Sequence, residues 1–530
     1  MSLSSIDLAV VVAYAIGIFG LAQWVSREKP GHQTDSSDYF LASKSLPWWA
    51  IGASLIAANI SAEQIVGMSG SGYAIGLAIA SYEWMAALTL LIVGKYFLPI
   101  FLKNEIYTMP QFLEQRYGPN IRTLMAVFWL GLYVFVNLTS IIWLGSIAVT
   151  QVAGIDQDYA LYGLGLFALL YQIRGGLKAV ALTDIVQVTL LVFGGLMVTG
   201  ITLSQIGGGN PLAGFTTLVH RIPDHFQMIL PRSNPHYKEL PGIAVLVGGM
   251  WIANLSYWGF NQYIIQRALA AKSLAEAQKG IVFAAYLKLL MPVIIVLPGI
   301  AAVVLAPTLA RPDQAYPTMM RLLPPGILGL VFAALIAAII ASTASKINSI
   351  ATIFTLDIYA KRRGIVDRVE DGRGSAAHER HLVLVGRLCA TAAIVIAMLT
   401  ARPLLGHSDQ AFQYIQDYTG FFTPGIVVIF LLGLFWRRAT ELGALAAALT
   451  SFALSLAIKY AAPELPFMNR MSVVFMAALG LAVIVSLLRP QTTAANQINT
   501  RGVDYATAPS FNMLGLGVVL ILIALYATWW

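Results

Sequence analysis

Ala58-Asn59-Ile60-Ser61 and Ala253-Asn254-Leu255-Ser256 carry nearly the same four residues, each inside a long apolar stretch with polar side chains at mid-length. A segment that crosses lipid must satisfy its backbone N–H and C=O groups internally, so polar or unwound backbone at that depth is tolerated only against protein or a wet cavity. Matching interruptions in two parts of one chain therefore point to the solute and ion site of a transporter. The four letters alone are common residues, and chance repetition is the competing explanation.

Composition places both stretches in a bilayer. Of 530 residues, 58% are apolar and 11% charged, against roughly 25% charged in a soluble domain. Mean hydropathy is +0.74. Apolar runs of about 20 residues, the length that crosses ~30 Å of hydrocarbon, recur along the whole chain. The chain thus reads as an all-α integral membrane protein with a single transport domain over residues 1–530. Membrane helices are predicted at 5–26, 47–72, 79–102, 123–151, 157–173, 179–205, 242–266, 276–306, 325–360, 384–401, 409–436, 439–459, 469–488 and 511–529, from apolar periodicity and length.

Charge sets the orientation. With the N-terminus outside, twenty-one Lys and Arg fall in inside loops and seven in outside loops, a positive-inside bias that supports fourteen helices with both termini outside. The net charge of +8 is explained by that distribution, so no nucleic-acid partner is implied. No basic residue precedes the first apolar run and no small-residue cleavage site follows it, so it reads as a retained helix. The lone Cys389 can form no disulfide within the chain. Two connections stand out, the polar external loop at 206–241 and the basic internal stretch Lys361 to Arg380. Neither reads as a folded domain.

Charges four or more residues from a segment end are Glu63, Glu83, Lys95, Asp184, Lys288, Lys346 and Asp417. Each costs about 2.5–3.5 kcal/mol at the bilayer centre unless it faces protein or a wet cavity. Lys95 and Lys346 read chiefly as end residues that snorkel or contact backbone, and Glu63 and Asp417 at least equally as structural pairs. Glu83 and Lys288 lie in mid-segment and can compensate one another while offering donors and acceptors to a polar solute.

A break within Ala57-Ala58-Asn59-Ile60-Ser61-Ala62-Glu63-Gln64 frees backbone carbonyls, which suit a small hard cation. The ninth segment has matching oxygen chemistry in Ala338-Ile339-Ile340-Ala341-Ser342-Thr343, although serine and threonine often bond only their own helix carbonyls. The second interruption, Asn254-Leu255-Ser256-Tyr257-Trp258-Gly259, sets an amide beside two aromatics, as suits a mostly apolar pocket with few polar groups for a polar solute. Phosphate-loop, paired-cysteine and His-Glu-x-x-His motifs are absent from the sequence, so an enzyme is poorly supported.

The runs from Asp38 through Ala58 to Gln64, Ala80-Ser81-Tyr82-Glu83-Trp84-Met85, Arg174-Gly175-Gly176-Leu177, Tyr257-Trp258-Gly259-Phe260-Asn261-Gln262 and Ala411-Phe412-Gln413-Tyr414-Ile415-Gln416 closely resemble the sodium/solute symporter family, in its sodium/galactose and sodium/glucose branch. The resemblance covers nearly the whole chain. It implies a LeuT-like core of two five-helix inverted repeats, here 47–205 and 242–436, with one extra helix before at 5–26 and three after at 439–529. By the same likeness Gln64, Glu83, Asn254, Lys288 and Gln416 bond a sugar, and Tyr257 stacks on its ring as an inner gate held by Asn59. Met68, Tyr82 and Phe412 match an outer lid. Carbonyls of Ala57, Ile60 and Ala338 with the Ser342 hydroxyl match a sodium (Na+) site, and Asp184 matches a position on the sodium exit path.

Two positions depart from the family pattern, Ala86 in place of a sugar-contacting serine and Ala341 in place of a second sodium-site serine. The resemblance implies sodium-coupled symport of a monosaccharide, with sodium, sugar and the lipid bilayer as partners. Two alternatives stay open. One is symport of an amino acid or carboxylate, which requires an unpaired cation or a free helix N-terminus at the site. The other is a sugar-gated sensor that signals instead of accumulating solute.

Overall fold

The computed structural model describes residues 3–25, 47–106, 109–174, 177–363, 376–408, 410–490, 498 and 502–530, with backbone alone at 19, 21–25, 171–184, 263, 266, 356 and 376–380. Asp38, the Gly175-Gly176 turn, most of the basic stretch 361–380 and the side chain of Asp184 lie outside the described residues. The regular elements are helical. Among the described residues nine helices are long and apolar enough to cross a membrane, or eleven if two bent pairs each count as one span. Ser5–Val25 and Gln157–Arg174 are helical as well, and the stretch 242–266 is helical in three pieces, Ala244–Val247, Gly249–Phe260 and Gln262–Leu269.

The first bent pair is the predicted break. Trp48–Asn59 ends where Ile60 turns extended, and Glu63–Ala74 leaves at 67°. Ser61 starts the second half, its hydroxyl accepting from Glu63 N at 3.2 Å and donating to Gln64 Oε1 at 3.0 Å. The carbonyls that end the first half are left without helical amides. The second bent pair, Ala411–Thr419 and Thr423–Phe435, bends by 47°. Asp417 braces this bend by accepting from Lys459 Nζ at 2.7 Å and from Arg470. This is the pairing role that its sequence position suggested.

The stretch 242–266 differs from its prediction. Gly249–Phe260 is an unbroken helix through Asn254, and the interruptions fall at Gly248 and Asn261, which flank it. Asn254 stays inside the helix because its amide bonds the preceding turn, Nδ2 donating to Met250 O at 3.1 Å. The loop at 206–241 also holds more structure than its polarity suggested. Asn210 caps Pro211–Arg221, accepting from Leu212 N at 2.9 Å, and that helix packs on Leu177–Ile206. Met228 N then bonds Trp529 O at 2.7 Å, and Phe226 meets the Trp529 ring at 5.2 Å.

Leu274–Leu305 runs through the middle, packed on Trp48–Asn59, Ser69–Ala74, Ser81–Ile92 and Leu177–Ile206. Gly299 permits its close approach to the broken helix, because a Cβ there would stand 2.1 Å from the Ser69 carbonyl oxygen. That oxygen is backbone and cannot swing aside. Gly299→Ala is therefore expected to cost at least about 1–3 kcal/mol through overpacking, read as a lower thermal midpoint of the detergent-solubilised protein.

Candidate solute and sodium sites

A cavity of about 100 Å³ forms between the broken helix, Ser81–Ile92, Gly249–Phe260, Leu274–Leu305 and Ala411–Thr419. All ten predicted solute and gate residues line it: Asn59, Gln64, Met68, Tyr82, Glu83, Asn254, Tyr257, Lys288, Phe412 and Gln416. Its charged centre is Lys288, whose side chain is 1% exposed and whose Nζ donates to Glu83 Oε2 at 2.5 Å. Lys288 also donates to Asn59 Oδ1 and sits 4.8 Å over the Trp258 ring. The buried charges are thus paired, hydrogen-bonded and stacked, which offsets the desolvation that each would otherwise pay.

Asn59 links the charged centre to the aromatic wall. Its Nδ2 donates to Tyr257 OH at 3.0 Å while its Oδ1 serves Lys288. Helix termination at Asn59 is what allows one side chain to reach both partners. On another wall Tyr82 meets Phe412 edge to face at 5.1 Å, and both rings are buried with Met68. Tyr82 OH is buried and has no hydrogen-bond partner among the described residues. A polar solute hydroxyl would satisfy it.

The predicted sodium residues meet at a second, smaller cavity. Ala57, Ile60, Ala338 and Ser342 line a space of about 30 Å³ with Ala58, Ala341, Ser345, Gln187, Arg267 and Lys346. Thr343, considered as a replacement for the hydroxyl missing at Ala341, is engaged elsewhere, since Oγ1 donates to Ile339 O at 2.7 Å. Among the described residues no cluster of three or more His, Cys, Asp or Glu is placed to hold a metal ion. A ligand set of carbonyls and hydroxyls is the chemistry that suits a monovalent alkali cation.

Several residues were missed or misread from sequence. Trp129 of the helix Pro119–Leu132 and Phe467, Met468 and Met471 of Phe467–Leu488 also line the larger cavity. Trp129 lies in a uniformly apolar run, and the apolar side chains Phe467, Met468 and Met471 flank Asn469 and Arg470 with no pattern of their own that marks them as cavity-facing. Ala86 is 1% exposed and does not line the cavity, so its side chain is packing. Lys346 is 7% exposed and does not snorkel. Its ammonium sits 5.1 Å over the Tyr133 ring, and the Glu63 carboxylate is near enough to attract it.

Sequence comparison fits this arrangement. The model of the sodium:solute symporter family matches residues 39–451. The chain belongs to that family. It is therefore a multi-pass membrane transporter that couples a solute to Na+ and not an enzyme. The symporter is 50% identical over 551 residues to the sodium/glucose cotransporter of Vibrio parahaemolyticus, covering 100% of this chain and 99% of the relative. It is 33% identical to the sodium/myo-inositol cotransporter 2 of Mus musculus, over 84% of this chain and 68% of that relative. In fold it resembles a Na+-coupled sialic acid symporter solved substrate-bound and outward-open, with a TM-score of 0.75 at 22% identity over 92% of this chain and 99% of that one. The symporter thus shares the overall helical arrangement of a LeuT-like transporter.

Proposed function

We propose that this symporter carries a monosaccharide of the galactose/glucose type into the cell together with sodium, by alternating access. The observation that carries the reading is the convergence of all ten expected residues on one cavity, in a chain half identical to a sodium/glucose cotransporter. Gln64, Glu83, Asn254, Lys288 and Gln416 bond the sugar hydroxyls. Tyr257 covers the ring from one side, held by Asn59, and Met68, Tyr82 and Phe412 close the other. An amino acid or carboxylate is disfavoured because the Lys288 ammonium is already committed to Glu83.

Sodium binds between the broken helix and the ninth segment, on the carbonyls of Ala57, Ile60 and Ala338 and the hydroxyl of Ser342. It leaves past Asp184. Coupling requires that sodium favour the state that binds sugar. With one sodium per sugar, a potential near 100 mV supplies about 2.3 kcal/mol and a tenfold gradient about 1.4, enough for roughly 500-fold accumulation. The architecture we propose is fourteen membrane helices with two inverted repeats of five, at 47–205 and 242–436, in the inner membrane with both termini outside.

The test is labelled galactose uptake into proteoliposomes, with and without a sodium gradient, in competition with unlabelled glucose, fucose, proline and pantothenate. Inhibition by the hexoses alone, only in sodium, is expected. Inhibition by proline or pantothenate without inhibition by any hexose would overturn the sugar assignment.

A further inference from the structure

The sodium cavity is lined by two cationic side chains and, among the described residues, by no carboxylate. Lys346 lies one helical turn beyond Ser342 on the same helix, so the two share a face. The ammonium cannot retreat to water, since the residue is 7% exposed. Groups facing it come from three other elements. The Glu63 carboxylate, at the start of the second half of the broken helix, attracts it, Arg267 repels it, and the Tyr133 ring lies 5.1 Å away. Arg267 is itself fixed, with Nε donating to Ser54 Oγ at 2.9 Å. Glu63 is also held, accepting from Ser140 Oγ.

We propose that Lys346 is a tethered cation that sets the sodium affinity of the symporter, its ammonium repelling the ion while the Glu63 carboxylate limits that repulsion. The inference rests on the sodium site proposed above. Like charges a few ångströms apart in a poorly screened interior disfavour one another strongly. A site with only neutral oxygens and a fixed positive neighbour therefore holds sodium loosely, and it fills only at high external sodium. The neighbouring Ala341 acts in the same direction by supplying no hydroxyl.

The charges can be separated by a double-mutant cycle on the full-length protein, reading the sodium concentration that gives half-maximal galactose uptake. Lys346→Met is expected to lower it about five- to tenfold, and Glu63→Gln to raise it. The double variant Glu63→Gln/Lys346→Met is expected to fall between the two single variants. A purely structural role would impair both single variants in the same direction. If uptake is lost in either variant, sodium-dependent tryptophan fluorescence of the purified protein gives the same ordering from binding alone. Equal half-saturation in Lys346→Met and the parent, or a shift of both single variants in one direction, would overturn the proposal. Ser342→Ala in the same assay separates the two levels. If Ser342→Ala loses sodium stimulation while Lys346→Met changes nothing, only the role of Lys346 falls. If Ser342→Ala keeps full sodium dependence, the site itself is wrong and the inference falls with it.

Discussion

Lys288→Met is expected to abolish sodium-driven sugar uptake and to lower the thermal stability of the protein. Lys288 and Glu83 are a buried pair, 1% and 5% exposed, and methionine keeps most of the volume while removing the charge. Glu83 is then left in the cavity wall with no cation, and breaking a buried pair in this way costs about 3–5 kcal/mol. Asn59 also loses the ammonium that its Oδ1 accepts from, which loosens its hold on Tyr257. The loss of one charged contact to a sugar hydroxyl adds about 1.5–3 kcal/mol to the barrier for binding. Together these should reduce uptake by at least about a hundredfold. The double variant Glu83→Gln/Lys288→Met removes the stranded charge, so its thermal midpoint should recover while uptake stays low. Single-variant uptake within threefold of the parent would remove Lys288 from the solute site.

Ser342→Ala is the second large effect, with loss of sodium-stimulated uptake and retention of weak sodium-independent sugar binding. Ser342 supplies the only side-chain oxygen in the proposed sodium shell, beside the carbonyls of Ala57, Ile60 and Ala338. Its two chain neighbours offer no substitute, and of the other side chains lining the cavity only Ser345 and Gln187 carry an oxygen. Ala341 has no hydroxyl, and Thr343 Oγ1 is spent on Ile339 O. The solute cavity shares none of its lining with Ser342, so sugar contacts remain available. The measurement is galactose uptake against external sodium, paired with equilibrium sugar binding in detergent. Full sodium dependence in the variant would place the ion elsewhere.

Much of the helical layout and of the solute site is legible in the amino-acid order. Bilayer thickness imposes length and apolarity on each helix locally, so helices occur where apolar runs of about 20 residues predict them. The penalty on charge at depth likewise marks Glu83 and Lys288 as partners, and they are. The long family motifs name ten residues that are scattered over 358 positions from Asn59 to Gln416 and meet at one cavity. Cavity residues such as Trp129 and Met471 carry no signal, because an apolar side chain reads the same against lipid, protein or solute. Lys346 is misread for a related reason. A lysine in an apolar segment snorkels where its ammonium can reach the interface, and Lys346 instead meets the Tyr133 ring and the field of Glu63, 213 and 283 residues away in sequence.

The two Ala-Asn-aliphatic-Ser quartets mark the division. By itself the sequence determined that both lie in membrane-embedded, mostly apolar stretches beside polar chemistry, because lipid acts on each segment independently. Only the tertiary structure decided which one unwinds. Asn59 ends its helix and spends its amide on Tyr257 and Lys288, side chains brought from two distant helices. Asn254 bonds Met250 O one turn back, and its helix continues. Nearly the same four residues satisfy their polar groups either within the helix or across it, and that choice depends on partners that no local pattern contains.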